Sequence, residues 1–235
     1  MKYILDTHCH SISSGHAYSS VTENIEYAKK IGLKLLAITD HAPKMPGSCG
    51  ILHFLNLNVL PQKSGDLEIL KGVELNILDE DGNVDLPKRV LEKLDLKIAS
   101  LHPPCITPMD IEKNTNAVIN AMKNEFINII GHLGDPRYPI DIEKIVKTAK
   151  ETNTLIEINN SSLNPNNTRA GGSEIVLEIL KECKKQSAYV VLGSDAHYHT
   201  YIGNFENVIN LLNECNFPDE LIVNTSIEKL KSFLS

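Results

Sequence analysis

Six of the nine histidines in this 235-residue chain stand just past the ends of short apolar runs, together with one glutamate and one aspartate, and a seventh, His16, lies in the loop after the first run. The runs are Tyr3-Ile4-Leu5-Asp6-Thr7-His8-Cys9-His10, Leu35-Leu36-Ala37-Ile38-Thr39-Asp40-His41 and Ile69-Leu70-Lys71-Gly72-Val73-Glu74. They continue as Ile98-Ala99-Ser100-Leu101-His102, Ile127-Asn128-Ile129-Ile130-Gly131-His132 and Val190-Val191-Leu192-Gly193-Ser194-Asp195-Ala196-His197. Metal-ligand side chains that recur at strand ends, far apart in sequence, are what a multinuclear metal site on a parallel barrel needs. This pattern makes a metal-dependent hydrolase the leading expectation.

Seven runs read as strands, at about 2–6, 34–39, 69–75, 96–101, 127–131, 154–158 and 189–194. Most are continuously apolar rather than alternating, as strands buried on both faces of a parallel sheet are. Helical patterns lie between them: 21–30 ending at Gly32, then 110–123, 140–152 and 173–183, with a last pair at about 205–215 and 226–234. The segment from Pro43 to Gly65 is the longest insertion and carries a helical stretch around 52–60. Alternating strand and helix argues for βαβ units. In a barrel every strand end points into one mouth, so six strands can share a site; in an open sheet the outer ends lie too far apart. The expected fold is α/β, a distorted (β/α)7 TIM-like barrel forming a single domain over 1–235.

His8 and His10 are spaced i, i+2, so in extended chain both imidazoles project to one side and Cys9 points away. Asp195 and His197 repeat that spacing after the last strand, which sets paired ligands across the mouth. His41, His102 and His132 each end a run, and an imidazole buried there without a partner is costly. His16 follows in the first loop, near His8 and His10. Glu74 ends its strand with two oxygens that can bridge two metals. The candidate metal ligands are therefore His8, His10, His16, His41, Glu74, His102, His132, Asp195 and His197, with Glu74 and Asp195 also assigned a catalytic part. Three zinc-type sites of three protein ligands each would use all nine and leave open positions for water or substrate. Such a donor set suits Zn²⁺, and also Mn²⁺ or Fe²⁺. Asp40 is read as orienting an imidazole from behind, or as a helix cap. His53 and His199 are read as non-ligands, His53 as an ordinary surface or packing residue.

Composition narrows the class. Net charge is −7, which disfavours a nucleic-acid surface. Five cysteines, an odd number without a Cys-x-x-Cys, indicate neither a disulfide framework nor a zinc knuckle. Free thiols suit a reducing cytosol, the N-terminus lacks a signal-peptide core, and no run approaches the ~20 apolar residues of a membrane helix. The expectation is a cytoplasmic protein acting away from membranes and nucleic acid, with oligomerisation left open.

These residues resemble the PHP (polymerase and histidinol phosphatase) family, closest to its YcdX-type phosphatase branch. The resemblance spans nearly the whole chain. It rests on the six motifs above, with Glu157-Ile158-Asn159-Asn160-Ser161-Ser162 and His53-Phe54 carrying the likeness to the branch. It implies a trinuclear site. One metal takes His8, His10, Glu74 and Asp195; a second takes Glu74, His102 and His132; a third takes His16, His41 and His197. Cys9 stands where the family more often has threonine or serine. The implied reaction is hydrolysis of small phosphomonoesters by a metal-activated hydroxide, with three Zn²⁺ per chain. Arg137 and Arg169, in loops after strand ends, are candidate phosphate grips, since guanidinium matches phosphate geometry. The competing readings are a phosphodiesterase or nuclease of the same family, and a non-catalytic metal-binding domain. An amidohydrolase-type enzyme is disfavoured because strand four ends in His102 rather than lysine.

Overall fold

The computed structural model describes residues 2–164 and 171–234. The apolar runs become β1 (Leu5–Asp6), β2 (Leu35–Ile38), β4 (Leu67–Asn76), β5 (Leu96–Ser100), β6 (Ile129–Ile130), β7 (Leu155–Asn159) and β8 (Val190–Gly193). These seven strands are parallel and lie in the order β1-β2-β4-β5-β6-β7-β8. Around them run α1 (Val21–Lys30), α2 (Ile51–Asn56), α3 (Lys88–Leu91), α4 (Ile111–Met122), α5 (Ile142–Glu151), α6 (Gly172–Gln186), α7 (Glu206–Glu214) and α8 (Ile227–Lys231). The result is the expected distorted (β/α)7 barrel.

Local chemistry starts the helices where the sequence places them. Ser20 and Glu23 form a reciprocal capping box on α1, and Asp110 and Asp141 accept the Lys113 and Lys144 amides at the starts of α4 and α5. Each such cap is worth about 1 kcal/mol. Two elements escape the periodicity argument. β3 (Lys63–Ser64) folds back antiparallel on the start of β4, with Lys63 opposite Glu68. The turn falls at Gly65, whose φ of +60° suits glycine. Neither this two-residue strand nor the four-residue α3 is long enough to show a period.

Side chains alternate along each strand, so residues i, i+2 and i+4 share a face. Inward positions on β5 read Leu96, Ile98, Ser100 and then His102; on β7 they read Leu155, Glu157 and Asn159. The floor of the barrel is aliphatic, with Leu5, Leu35, Leu70, Leu96, Ile129, Leu155 and Val191 in one buried cluster sealed by Val223, Leu230 and Phe233. Polarity rises toward the carboxyl ends. Helices pack on the outward faces through a second, larger cluster that includes Val73, Leu75, Val118, Val146 and Leu180.

The first and last strands close without a continuous ladder between them. At the mouth, Cys9 bridges Ala196 and the Asp195 amide donates to the His8 carbonyl (2.9 Å). Near the floor, fully buried Asn224 does the work of a missing strand. Its Oδ1 accepts from the Leu192 amide (2.7 Å), and its Nδ2 donates to the carbonyls of Leu192 (2.8 Å) and Leu5 (3.1 Å). Asn224→Ala strands these buried backbone groups, so urea unfolding should show a loss of about 3 kcal/mol or more. A loss below about 1 kcal/mol would mean the seam holds without it.

Candidate metal centre

Glu74 is the point on which the mouth converges. Its side chain is 1% exposed. His8 Nε2, His10 Nε2 and His41 Nδ1 lie 3.4, 3.6 and 2.7 Å from its Oε2. His132 Nε2 and His102 Nε2 lie 2.9 and 3.2 Å from its Oε1. Asp195 Oδ1 approaches from β8, 3.1 Å from His10 Nε2 and 3.7 Å from His8 Nε2. Three trios bring their ligand atoms within 4.8 Å of one another: His8–His10–Glu74, His41–Glu74–His102 and His10–His41–His197.

Hydrogen bonds behind the imidazoles fix which nitrogen faces Glu74. His8 Nδ1 donates to Glu157 Oε1 (2.6 Å), and His102 Nδ1 donates to Asn76 Oδ1 (2.8 Å). His10 Nδ1 donates to Ser14 Oγ (3.0 Å), which passes its own proton to Asp40 Oδ1 (2.7 Å). When neutral, each of these rings turns a bare Nε2 lone pair inward. His8 Nε2, His41 Nδ1 and Glu74 Oε2 are buried and make no hydrogen bond to any described residue. Lone pairs facing a buried carboxylate repel unless a cation lies among them. The donor set therefore fits divalent zinc-type ions.

The electrostatics agree. Burial, reinforced by neighbouring His197 and His41, holds His10 well below its ordinary value. Burial also takes His102 down to about 4, against the pull of Glu74. Both are neutral near pH 7, the form that coordinates metal. Burial alone would raise Glu74, but His41, His102 and His8 hold it well below the carboxylate range. Asp195 behaves likewise, with burial outweighed by His8 and His10. The backbone is strained at two of these positions. His132 has φ +28° and Asp195 φ +53°. Such left-handed conformations cost of order 1–3 kcal/mol each and cluster at functional sites.

The other predicted residues fall in varied places. His16 is exposed at the rim, its ring 4.9 Å from that of His41 and 4.7 Å from that of His197. At ligand-atom range it is His10, rather than His16, that groups with His41 and His197. Cys9 faces away and donates to the Ala37 carbonyl (3.3 Å). Arg137 lines the outer cleft with His102, His132, Asp195 and His197, but its Nε and Nη2 are paired with Asp135 (2.9 and 2.6 Å). Arg169 lies outside the described residues. His199 sits apart, with Nδ1 on Ser19 Oγ (3.0 Å).

One reading is narrowed and one needs correction. Asp40 caps no helix and stands behind an imidazole, one hydroxyl away. It accepts from the Ser11 amide (2.7 Å), from Ser11 Oγ (2.8 Å) and from Ser14 Oγ, so it orients His10 through Ser14. His53 is more than a packing residue: its Nε2 lies 3.3 Å from Asp40 Oδ2, because α2 lays the long insertion across the mouth. Burial opposes the charged imidazole, but Asp40 and Cys49 raise it to about 9, while Asp40 falls to about 2.

Glu157 is the residue that reading strand ends misses, because it lies inside β7 rather than past its end. It is 3% exposed and accepts from His8 and from the His132 amide (2.9 Å). Its room comes from the neighbouring strands. A Cβ at Gly193 would lie 1.9 Å from Glu157 Oε1, and one at Gly131 would lie 2.3 Å from Ser100 Oγ. A charged residue at an inward strand position beside glycines on both flanking strands was the available signal.

A parallel barrel whose strand ends gather histidines around buried carboxylates belongs to the class of barrels built to hold metal ions. The PHP domain matches residues 6–161, and the chain belongs to that family. It is 51% identical over 235 residues to a probable phosphatase of Thermoanaerobacter sp. (strain X514), covering all of this chain and 95% of the relative. It is 49% identical over 234 residues to a probable phosphatase of Clostridium novyi (strain NT), with the same coverage. Among solved structures it resembles histidinol phosphate phosphatase from Lactococcus lactis subsp. lactis Il1403, complexed with zinc, L-histidinol and phosphate. That match has a TM-score of 0.62 at 18% identity, covers 92% of this chain and 95% of the other, and concerns the fold.

Glu157→Gln should lower zinc affinity by about 10- to 100-fold, since partners behind a ligand imidazole carry that much. Competition with a chromogenic chelator measures it, and wild-type affinity in a folded variant would remove Glu157 from this role. The His53–Asp40 pair makes a second prediction. A raised imidazole stabilises fully below its unfolded value of 6.5 and loses that contribution as pH rises through about 9. The urea stability gap between wild type and His53→Gln should therefore be largest near pH ~6 and shrink toward pH ~9. A flat gap would exclude the ion pair.

Proposed function

We propose that this protein is a metal-dependent phosphatase acting on small phosphomonoesters at a trinuclear, zinc-type site. The observation that carries the reading is the convergence of imidazole and carboxylate atoms on Glu74, with His8 Nε2, His41 Nδ1 and Glu74 Oε2 buried and unbonded. Its probable-phosphatase relatives share about half of its residues over their near-full length. Residues 1–235 act as one hydrolase domain in this reading, because Asp195 and His197, beyond the matched 6–161, complete the cluster.

His8, His10, Glu74 and Asp195 would hold one ion, Glu74, His102 and His132 a second, and His41 and His197 a third, with His10 or His16 completing it. Ions so held supply a lowered water pKa, toward ~7, and positive charge against phosphate oxygens. The chain's own share is positional. Glu74 spans the cluster with both oxygens. Glu157, Asn76 and Ser14 keep protons on the outer nitrogens so that the inner ones stay available. Met45, Pro103 and Pro104 wall the cleft above, whose volume of about 410 Å³ suits a small ester. Arg137 stands at its edge with one face held by Asp135, which aims the guanidinium at the cleft. Arg169, outside the described residues, is proposed as a second phosphate grip.

Purified protein loaded with Zn²⁺, Mn²⁺ or Fe²⁺ should bind about three ions per chain and hydrolyse p-nitrophenyl phosphate. Fewer than two ions per chain with no turnover under any metal would sink the reading. Dinucleotide substrates run in parallel separate a monoesterase from a diesterase. Replacing Arg137 and Arg169 together by methionine should lower kcat/KM by about tenfold or more, as loss of charge-assisted phosphate contacts does. An unchanged kcat/KM would take both out of the site.

A further inference from the structure

Beside the metal cluster lies a second cavity of about 290 Å³, which shares Asp195 and His197 with the cleft above the histidines. An ester held with its phosphate at the cluster would leave its alcohol portion there. The wall of this cavity is unusual in its chemistry. Asn160, Asn204, Asn207 and Tyr201 line it, and no lysine or arginine does so among the described residues. Asp195 is its carboxylate, and that group is committed to the cluster.

The amides are held in defined orientations. Asn160 Oδ1 accepts from the Asn207 and Val208 amides (2.9 and 3.2 Å) in the first turn of α7, which leaves its Nδ2 as the uncommitted donor. Asn204 Oδ1 accepts from the Glu206 amide (3.1 Å) and likewise leaves Nδ2. Asn207 spends its Nδ2 on the Asn160 carbonyl at 3.5 Å and keeps Oδ1. Tyr201 adds a hydroxyl that both donates and accepts, and its side of the cavity is open, with the residue 58% exposed. Fixed amide donors next to a fixed amide acceptor match groups that donate and accept together, which are hydroxyls. An ammonium group offers donors alone and would need a free carboxylate. A nucleobase would need an enclosed apolar or aromatic face.

We propose that this amide cavity seats a small, uncharged, polyhydroxylated leaving group, so that the preferred substrates are sugar or polyol monophosphates. The proposal rests on the phosphatase reading above and narrows it. Sites built to hydrogen-bond a substrate hydroxyl discriminate strongly against analogues that lack it.

The test uses the full chain loaded with zinc. Glucose 6-phosphate and glycerol 3-phosphate should exceed O-phosphoethanolamine, L-histidinol phosphate and AMP by tenfold or more in kcat/KM, each relative to p-nitrophenyl phosphate. Asn204→Asp keeps the acceptor for Glu206 and puts a carboxylate where Nδ2 stood. It should raise the ratio of phosphoethanolamine to glucose 6-phosphate turnover by tenfold or more. Asn207→Leu should lower the ratio of glucose 6-phosphate to p-nitrophenyl phosphate turnover by a similar factor. Calorimetry with glucose, ethanolamine and adenosine reads the cavity without turnover, and glucose should be the one that binds. Preference for AMP or an amino-alcohol phosphate, or ratios unmoved in both folded variants, would overturn the substrate class alone. Absence of p-nitrophenyl phosphate turnover with every ion would overturn the phosphatase reading and this inference with it.

Discussion

The mouth of the barrel depends on a carboxylate that water does not reach. Glu74 is enclosed by five imidazoles from four strand ends. A buried carboxylate needs positive charge nearby, because its desolvation is costly. Protons on the surrounding rings are one source, and His8 accepts that role: burial opposes its charge, but Glu157, Glu74 and Asp195 raise it well above the ordinary value. His10 and His102 refuse it, because burial penalises the charged ring and neighbouring imidazoles add to that penalty. Divalent ions held by these residues would resolve the conflict, since neutral nitrogens and anionic oxygens could then be satisfied together.

That arrangement is only as good as the orientation of the rings. Glu157 ties His8 to the backbone of His132, so one side chain sets two elements of the cluster. Its carboxylate fits because Gly193 leaves open the space where a Cβ would lie 1.9 Å from Oε1. A small residue on one strand is thus the counterpart of a large charged one on its neighbour. The Glu157 contact also supports His132 in a backbone conformation that the chain would otherwise avoid. Strain, glycine placement and the buried acid form one structural unit.

The fold was legible in the sequence because most of the seven barrel runs are continuously apolar and α1, α4 and α5 between them carry their own caps. The cluster was legible for a simpler reason: its histidines lie past the strand ends, where a histidine has no packing excuse, although Glu74 itself sits inside β4. What escaped was whatever depends on three-dimensional proximity without a sequence period. Asn224 closes the seam from an irregular segment, and nothing in Val223-Asn224-Thr225 announces it. Glu157 sits inside an apolar run and reads as an interruption. His53 meets Asp40 only because the Pro43 to Gly65 insertion folds over the mouth. Asp40 acts through Ser14, a relay that spacing alone does not reveal.

The end of β7 shows how cluster and cavity are built from neighbouring residues. Asn159 turns inward, donating to Glu157 Oε2 (3.1 Å) and to Asp195 Oδ2 (3.3 Å). Asn160, the next residue, turns the other way and anchors the start of α7. Asn160 lies just past the strand, where the chain has already turned helical (φ −70°, ψ −37°). One residue braces the carboxylates of the cluster and the next shapes the wall beside them. Changes on the Asn160 side can therefore alter that wall while the Asn159 side keeps the carboxylates in place. A barrel that conserves its ion-holding layer and varies the adjacent loop wall has a direct physical route from one substrate to another.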